Sequence, residues 1–390
     1  LPLLYHYWRN RESERWVWRV GLPAICFGFA LLAKASALVF GPVCMLVIEC
    51  RRLAPKGVFH LEGAPSLWAR VRHSCGVLRP WFRQMWAIGF LALVVVLIYC
   101  GSDWKAEASF VAWANKLPEG AFKDIMLTTA ENLCIFPNAG GGLMRQIRHN
   151  MQGHAAYLIG IDGQRSIWFY FPVLLTIKLT LPLFLLTGLV LLVRQRALLN
   201  WPFLCFLALF AFSLTFRVQI GIRMVLPMVA LGIIGLAAGL TEAFQGFAHS
   251  WKRVTLGMTT LGCLAWTTAV TSRQHPHGIC YANELWGGTR AAYTAISDAN
   301  YDWGQGLKEL RRWQERHGVA DMSVWYFGAD PLLKYLPMRS APFSLWKVKS
   351  DEEFRDKVRG RILAVSTTNL YGSYAPDAEV PQRILRALKP

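Results

Sequence analysis

RMVLPMVALGIIGLAAGLTE, residues 223–242, decides the fold class. Seventeen uncharged, mostly apolar residues, Met224 to Leu240, lie between one arginine and one glutamate. A run of this kind is long enough to cross most of a bilayer as a helix and too long to be an ordinary strand. It is one of several. Working outward, apolar blocks cover about 18–33, 36–50, 86–100, 167–193, 201–215 and 254–271. The first two are split at Lys34-Ala35-Ser36, because 18–50 is too long for one span. The expected fold is a mainly α-helical polytopic membrane protein of about seven spans, with a small α/β domain outside the membrane at the C-terminus. The expected boundaries are 1–271 for the membrane region, with an outer loop at 101–166, and 272–390 for the outer domain.

Composition agrees. Of 390 residues, 54% are hydrophobic, and the mean hydropathy is +0.29. The formal net charge is +18, which in a soluble chain would suggest nucleic acid. Here the cations sit between the apolar blocks, as in cytoplasmic loops beside anionic lipid, so no nucleic-acid partner is expected. Arg9, Arg11, Arg15 and Arg19, the basic stretch 51–83 with Glu62 as its one acid, Arg194 with Arg196, and Lys252 with Arg253 all fall on one side if the spans alternate. That side is cytoplasmic by the positive-inside rule. The expected location is the inner (plasma) membrane, with the N-terminus cytoplasmic and the C-terminal domain extracytoplasmic. Trp16, Trp18, Trp86, Trp104, Trp168, Trp201 and Trp251 fall near expected span ends, as an aromatic belt would.

The outer domain reads as α/β. The pattern predicts a helix over 305–317, a strand over 323–327, a capping box at Ser350-Asp351-Glu352-Glu353 opening a helix to about 360, a strand over 361–366 and a last helix over 381–388. The nine cysteines show no CxxC or Cys/His metal spacing. Cys134 and Cys280 both fall outside the spans, where pairing is open to them.

Ionisable residues in apolar blocks are the first site candidates, since each costs about 2.5–3.5 kcal/mol or more at mid-bilayer. Lys34 lies at the first outer turn, Lys178 three turns into the 167–193 block, and Arg223 at the start of 224–240. Three cations toward the outer half of the membrane suit a lipid phosphate; snorkelling to the interface is the alternative. No Asp or Glu lies deep in a span, which argues against a proton-coupled transporter. His154, in NMQGHAAYLIG (150–160), is either a base, a ligand or a structural histidine. NAGGGLMR (138–145) offers backbone N–H groups to an anion but has no Walker or Rossmann spacing. DANYDWGQGL (298–307) contributes Asn300, Asp302 and Gln305. Its Asp298, Asn300, Asp302 and Glu309 have calcium-loop spacing, with Trp303 where that loop needs glycine. The competing reading has Asp302 capping the next helix and Trp303 packing the domain onto membrane-proximal loops.

These segments, in order, carry a family resemblance. YANELWGGTRAAYTAISDANYDWGQGLKEL (281–310) resembles the "YFNE-GG…DSN-DWGQDL" stretch of bacterial GT-C superfamily membrane glycosyltransferases, similar to protein mannosyltransferases and aminoarabinose transferases. NMQGHAAYLIG with WFYFPVLLTIKLTLP (168–182) resembles their "GH-YL-G" and "W-YFPV-IK-PLP". LLAKASAL (31–38) resembles "LLTK-SAL", and ILAVSTTNLYGSY (362–374) resembles "AVS-TNLYG". The resemblance implies inverting transfer of a hexose or pentose from a polyprenyl-phosphate carrier to an acceptor at the outer face. In that family an acid in the first outer loop acts as base or holds a divalent cation near the donor. Here the corresponding segment is expected upstream of Leu1, so no catalytic residue is assigned within this chain. The expected substrate-binding residues are Lys34, His154, Lys178, Arg223, Asn300, Asp302 and Gln305; of these, Lys34, Lys178 and Arg223 match positions of the family pattern suited to the donor's phosphate. The family's DWGQDL is DWGQGL here, with Gly306 in place of an acid. The alternative is a non-catalytic membrane protein that binds a lipid-linked glycan or scaffolds envelope assembly. The two differ in one feature, an outer-loop acid preceding Leu1.

Overall fold

The computed structural model describes residues 1–57, 66–135, 137–247, 250–328, 330, 331, 333, 340–342, 345, 347–372 and 378–388. Glu62 lies outside them. The chain is mostly helical. Four helices are long and apolar enough to cross a membrane: Val71–Cys100, Leu181–Leu198, Leu226–Gly246 and Trp251–Gln274. At most a third of each apolar stretch is buried within the protein. Phe90, Ile98, Leu192, Ile233, Val254 and Leu261 all point outward. Faces this apolar suit lipid and would be poor neighbours for water.

The other three expected spans form helices too short to qualify. They are α2 (Leu22–Ala33), α3 (Ala37–Leu53) and α10 (Trp201–Ser213). The expected break at 34–36 separates α2 from α3, with Lys34 extended at the end of α2. The block expected at 86–100 begins much earlier, as α4 (Leu67–Cys100), so Trp86 lies mid-helix rather than at an end. The block expected at 167–193 is two helices, α8 (Tyr170–Lys178) and α9 (Leu181–Arg194). Pro182, in the first turn of α9, has no N–H to continue a ladder and is placed best at a helix start. Asn283 supplies what α8 then lacks: its Nδ2 donates to the Thr176 and Leu179 carbonyls at 2.6 and 2.8 Å, and its N–H to Ile177 O at 2.9 Å.

The chain divides into two compact units. The first comprises Leu1–Gln152, Val190–Phe212 and Pro227–Ala243. Here α1 (Pro2–Arg9), α2, α3 and α4 pack together. Trp81 Nε1 donates to the buried Tyr7 hydroxyl at 2.9 Å, joining α4 to α1. α2 meets α4 closely at Gly28, where a Cβ would come within 2.6 Å of Val95 Cβ. Small residues at such crossings let helix backbones approach. Gly28→Ala is expected to overpack this contact and cost about 1–3 kcal/mol, read as a lower denaturation midpoint in detergent. Leu1 lies beside Lys34 and Arg9 beside Arg51, each pair lining one cavity. The basic turn 9–19 is therefore at the opposite end of α1 from Leu1.

The 101–166 loop is built, not extended. It contains α5 (Ala108–Ala114), α6 (Ala121–Asn132) and α7 (Pro137–Gln152), then in the second unit an antiparallel hairpin of β1 (Ala155–Leu158) and β2 (Ile161–Arg165). The glycines of NAGGGLMR lie in the first turns of α7, and the anion they face is the chain's own. Glu107 packs on Gly140 and Gly141. Its carboxylate also accepts from Ser109 Oγ and from Phe110 N–H, capping α5. Desolvation opposes ionisation there, but these bonds and Arg145 outweigh it and hold Glu107 below the usual carboxylate range.

The second unit comprises Gly153–Leu189, Ser213–Leu226 and Phe244–Pro390. This differs from a boundary at 271, because hydrogen bonds from 279–301 tie α8 to the C-terminal part. After α11 (Leu226–Gly246), α12 (Ser250–Gln274) and the short α13 (Gly288–Ala291) comes α14 (Leu307–Arg316). A three-stranded parallel sheet follows, in the order β4-β3-β5. Its strands are β3 (Met322–Trp325), β4 (Ser340–Pro342), which the sequence pattern missed, and β5 (Leu363–Val365). Val324 pairs with Pro342 on one side and Ala364 on the other. Alternation along β3 sends Met322 and Val324 toward Leu310, and Trp325 toward Leu345, Val348, Phe354 and Leu370. Ser350 caps α15 (Asp351–Val358) by accepting from Glu353 N–H at 3.2 Å. α16 (Thr367–Tyr371) and α17 (Glu379–Ala387) close the domain.

Candidate functional site

The residues of DANYDWGQGL fold into a turn held by partners far along the chain. Asp302 Oδ1 accepts from Gly304 N–H at 2.9 Å, and Oδ2 accepts from Thr367 Oγ1 at 3.3 Å. Thr368 Oγ1 donates to Asp302 O at 2.6 Å. Gly304 sits at φ +83, and a Cβ there would lie 2.4 Å from Phe327 O, so the turn requires glycine. Tyr326 OH donates to Gly304 O at 2.7 Å. Gln305 Oε1 accepts from Trp303 N–H, and its Nε2 donates to Tyr301 O and Cys280 Sγ. Asp302 thus caps its own turn. The helix after it starts at Leu307 with Gly306 as its N-cap and no side-chain cap.

Behind this turn lies a cavity of about 270 Å³. Asp302, Gln305 and Cys280 contribute polar atoms to its lining, Ser366 and Thr367 close it from the end of β5, and Leu310 and Val324 form its apolar floor. The crevice outside the carboxyl ends of parallel strands is where open α/β sheets place ligands. The volume is just under the roughly 300 Å³ at which ligand pockets usually begin. Burial pushes the Cys280 thiol up, and burial with Cys280 nearby pushes Tyr301 up to about 12. Both stay protonated near neutrality, so neither is a ready nucleophile or base. Cys134 and Cys280, expected as a candidate pair, are both free thiols.

Five of the seven expected site residues meet here. Lys178 Nζ donates to three carbonyls: Ile279 at 2.7 Å, Tyr281 at 2.7 Å and Asn300 at 2.8 Å. All three ammonium protons are used. In this arrangement Lys178 holds the fold instead of presenting charge to a phosphate. Asn300 is fully buried; its Oδ1 accepts from Ile222 N–H at 3.0 Å and its Nδ2 donates to Tyr170 OH at 2.9 Å. That amide ties α8, the segment before α11 and the 298–300 turn together, and leaves it no role in a calcium loop. Its neighbour Arg223 is exposed, with its guanidinium carbon 5.4 Å from the Trp303 ring centroid. A cation over an indole face is favourable, and the contact packs Trp303 on the segment before α11. Asp302 and Gln305 complete the five.

His154 lies at the start of β1. Its N–H donates to Arg217 O at 3.0 Å, and its Nδ1 is 2.7 Å from Ala155 O. Lys34 belongs to the first unit. It lines an open, mainly apolar cavity of about 480 Å³ with Cys26, Phe29, Phe40, Leu209 and Leu231. Among the described residues, no group of three or more His, Cys, Asp or Glu could hold a metal ion. Asn283, which caps α8, was missed as a site residue; its only sequence signal was its place in the YANE segment.

Neither family models, curated proteins nor solved structures give a match to this chain.

Proposed function

We propose that this chain is part of a polytopic membrane glycosyltransferase. It moves a sugar from a polyprenyl-phosphate carrier to an acceptor at the outer face of the inner membrane. Its cytoplasmic side carries the basic turn 9–19, and its C-terminal α/β part is extracytoplasmic. The resemblance in motif order motivates this reading. The observation that carries it is the Lys34 cavity. An open, mainly apolar cavity with a cation at the end of α2 complements the chemistry of a polyprenyl phosphate: a hydrocarbon tail with an anionic head. The cavity behind the Asp302 turn offers a small polar pocket for a sugar hydroxyl group. Lys178, Asn300 and His154 hold segments of the second unit and do not present charge to the substrate.

The test is direct binding of a polyprenyl phosphate to the purified protein in neutral detergent. Lys34→Ala is expected to weaken affinity about tenfold or more, equivalent to about 1.4 kcal/mol. Unchanged affinity in Lys34→Ala sinks the phosphate site. Glycosyl transfer to any acceptor by the full-length protein, abolished by an acid-to-amide change in its first outer loop, would separate the enzyme reading from the non-catalytic glycan-binding one.

A further inference from the structure

The first unit holds a second cavity, with different chemistry. It has a volume of about 590 Å³ and is lined by Arg9, Arg11, Arg51 and Arg52, with Glu12 as its one acid. It sits at the end of α3 opposite Lys34. The fifteen residue steps from Ser36 to Arg51 make that separation about 22 Å at 1.5 Å per step. The two cavities are therefore independent.

The four guanidinium groups are not equivalent. Glu49, buried beneath them, takes Arg11 Nε at 2.6 Å and Arg52 Nη2 at 2.7 Å. Arg52 Nη1 also reaches Glu12 at 3.1 Å. Arg11 and Arg52 are thus fixed by carboxylates. Arg51 uses Nε on Leu199 O at 2.7 Å, which leaves both Nη groups for a ligand. Arg9 completes the exposed cationic rim. The neutral polar side chain of the wall is already committed: Asn200 donates to the Ala197 and Gly235 carbonyls and accepts from Phe203 N–H. Trp8 and Trp201, with ring centroids 5.8 Å apart, form an aromatic wall beside the arginines.

Glu49 and Glu12 balance Arg11 and Arg52, so Arg9 and Arg51 carry the uncompensated charge of this wall, and forked guanidinium groups are shaped for phosphate oxygens. We propose that this cavity binds a phosphate ester between Arg9 and Arg51, with the part of the ligand next to the phosphate against Trp8 and Trp201. The carboxylate-held Arg11 and Arg52 form a fixed wall behind it. Two sources share this chemistry: an anionic phospholipid headgroup and a soluble phosphate ester.

The experiment uses the full chain purified in neutral detergent and two probes. One is a short-chain phosphatidylglycerol; the other is glycerol 1-phosphate. Binding is read by titration calorimetry, at low and at raised salt. At least one probe is expected to bind, with affinity falling as salt rises. Arg9→Gln with Arg51→Gln is expected to lose tenfold or more, while Arg9→Lys with Arg51→Lys keeps binding within a few fold. Tight binding of the lipid with none of glycerol 1-phosphate assigns the site to a headgroup. Equal binding and mutual competition assign it to a soluble ester. Failure of both probes, or a glutamine pair that binds like the parent, overturns the proposal. If the glutamine pair fails to fold by circular dichroism, each single glutamine variant is expected to lose threefold or more, and unchanged singles overturn it equally.

Discussion

Lys178→Met should destabilise the second unit by about 3 kcal/mol or more without altering the affinity for a lipid phosphate. The ammonium donates to three carbonyls, at 2.7, 2.7 and 2.8 Å, from residues 279, 281 and 300. A hydrogen bond to a charged group contributes about 1.5–3 kcal/mol, and a buried carbonyl left without a donor costs about 1–3 kcal/mol. Methionine keeps the length and the apolar stem but can donate nothing. Two of these bonds are partly buried and one is exposed, so solvent will recover part of the loss and the sum of three full bonds will not be reached. Lys178→Arg is a sharper control. A planar fork cannot place three donors on three converging carbonyls, so arginine should keep the charge and still lose most of the stability. The measurement is urea unfolding together with limited proteolysis of 279–301. A methionine variant that unfolds like the parent but binds polyprenyl phosphate tenfold more weakly would return Lys178 to the substrate.

The same residue shows what a sequence conveys and what it withholds. A lysine three turns into an apolar block signals an expensive charge with a strong reason to be there, and that much was legible. Its partners were not. They come from a loop about a hundred residues later, and carbonyl oxygens have no residue type to read. The Asp302 turn behaves alike. Its acid, glycine and glutamine marked a built structure, but Thr367, Thr368 and Tyr326, which hold it, arrive from other elements of the domain. Periodic features fared better. The helix expected at 305–317 is Leu307–Arg316, and the strand expected at 361–366 is Leu363–Val365, because repeated apolar spacing reports a face directly. The split between α8 and α9 was hidden by the same signal. Hydropathy runs unbroken across 167–193 and does not register a helix that stops at Lys178 under an asparagine cap. The short strand β4 pairs through its backbone at the edge of the sheet and gave no pattern to find.

Glu49→Ala should be the most destabilising single change in the first unit, at about 3–5 kcal/mol. Its carboxylate is 3% exposed and its partner Arg11 10%, so the pair is held away from water. Arg11 engages it with two nitrogens, and Arg52 does the same from one turn along α3. Removing the acid leaves a buried guanidinium without a counter-charge, which is far worse than never having buried the pair. Arg52, more exposed, can swing to water; Arg11 also holds Gln84 of α4 and is less able to move. The prediction therefore extends to a cycle. Glu49→Met with Arg11→Met should recover more than half of the loss, because both charges leave together and the stems still fill the space. Additive penalties would mean that the two residues contribute separately, through packing alone. The same cycle bears on the arginine cavity. If the triad's role is to fix Arg11 and Arg52 behind a ligand, the double methionine variant should fold, unfold near the parent's midpoint, and still bind phosphate esters several-fold more weakly. Stability restored together with full affinity would leave Arg9 and Arg51 as the whole of the site.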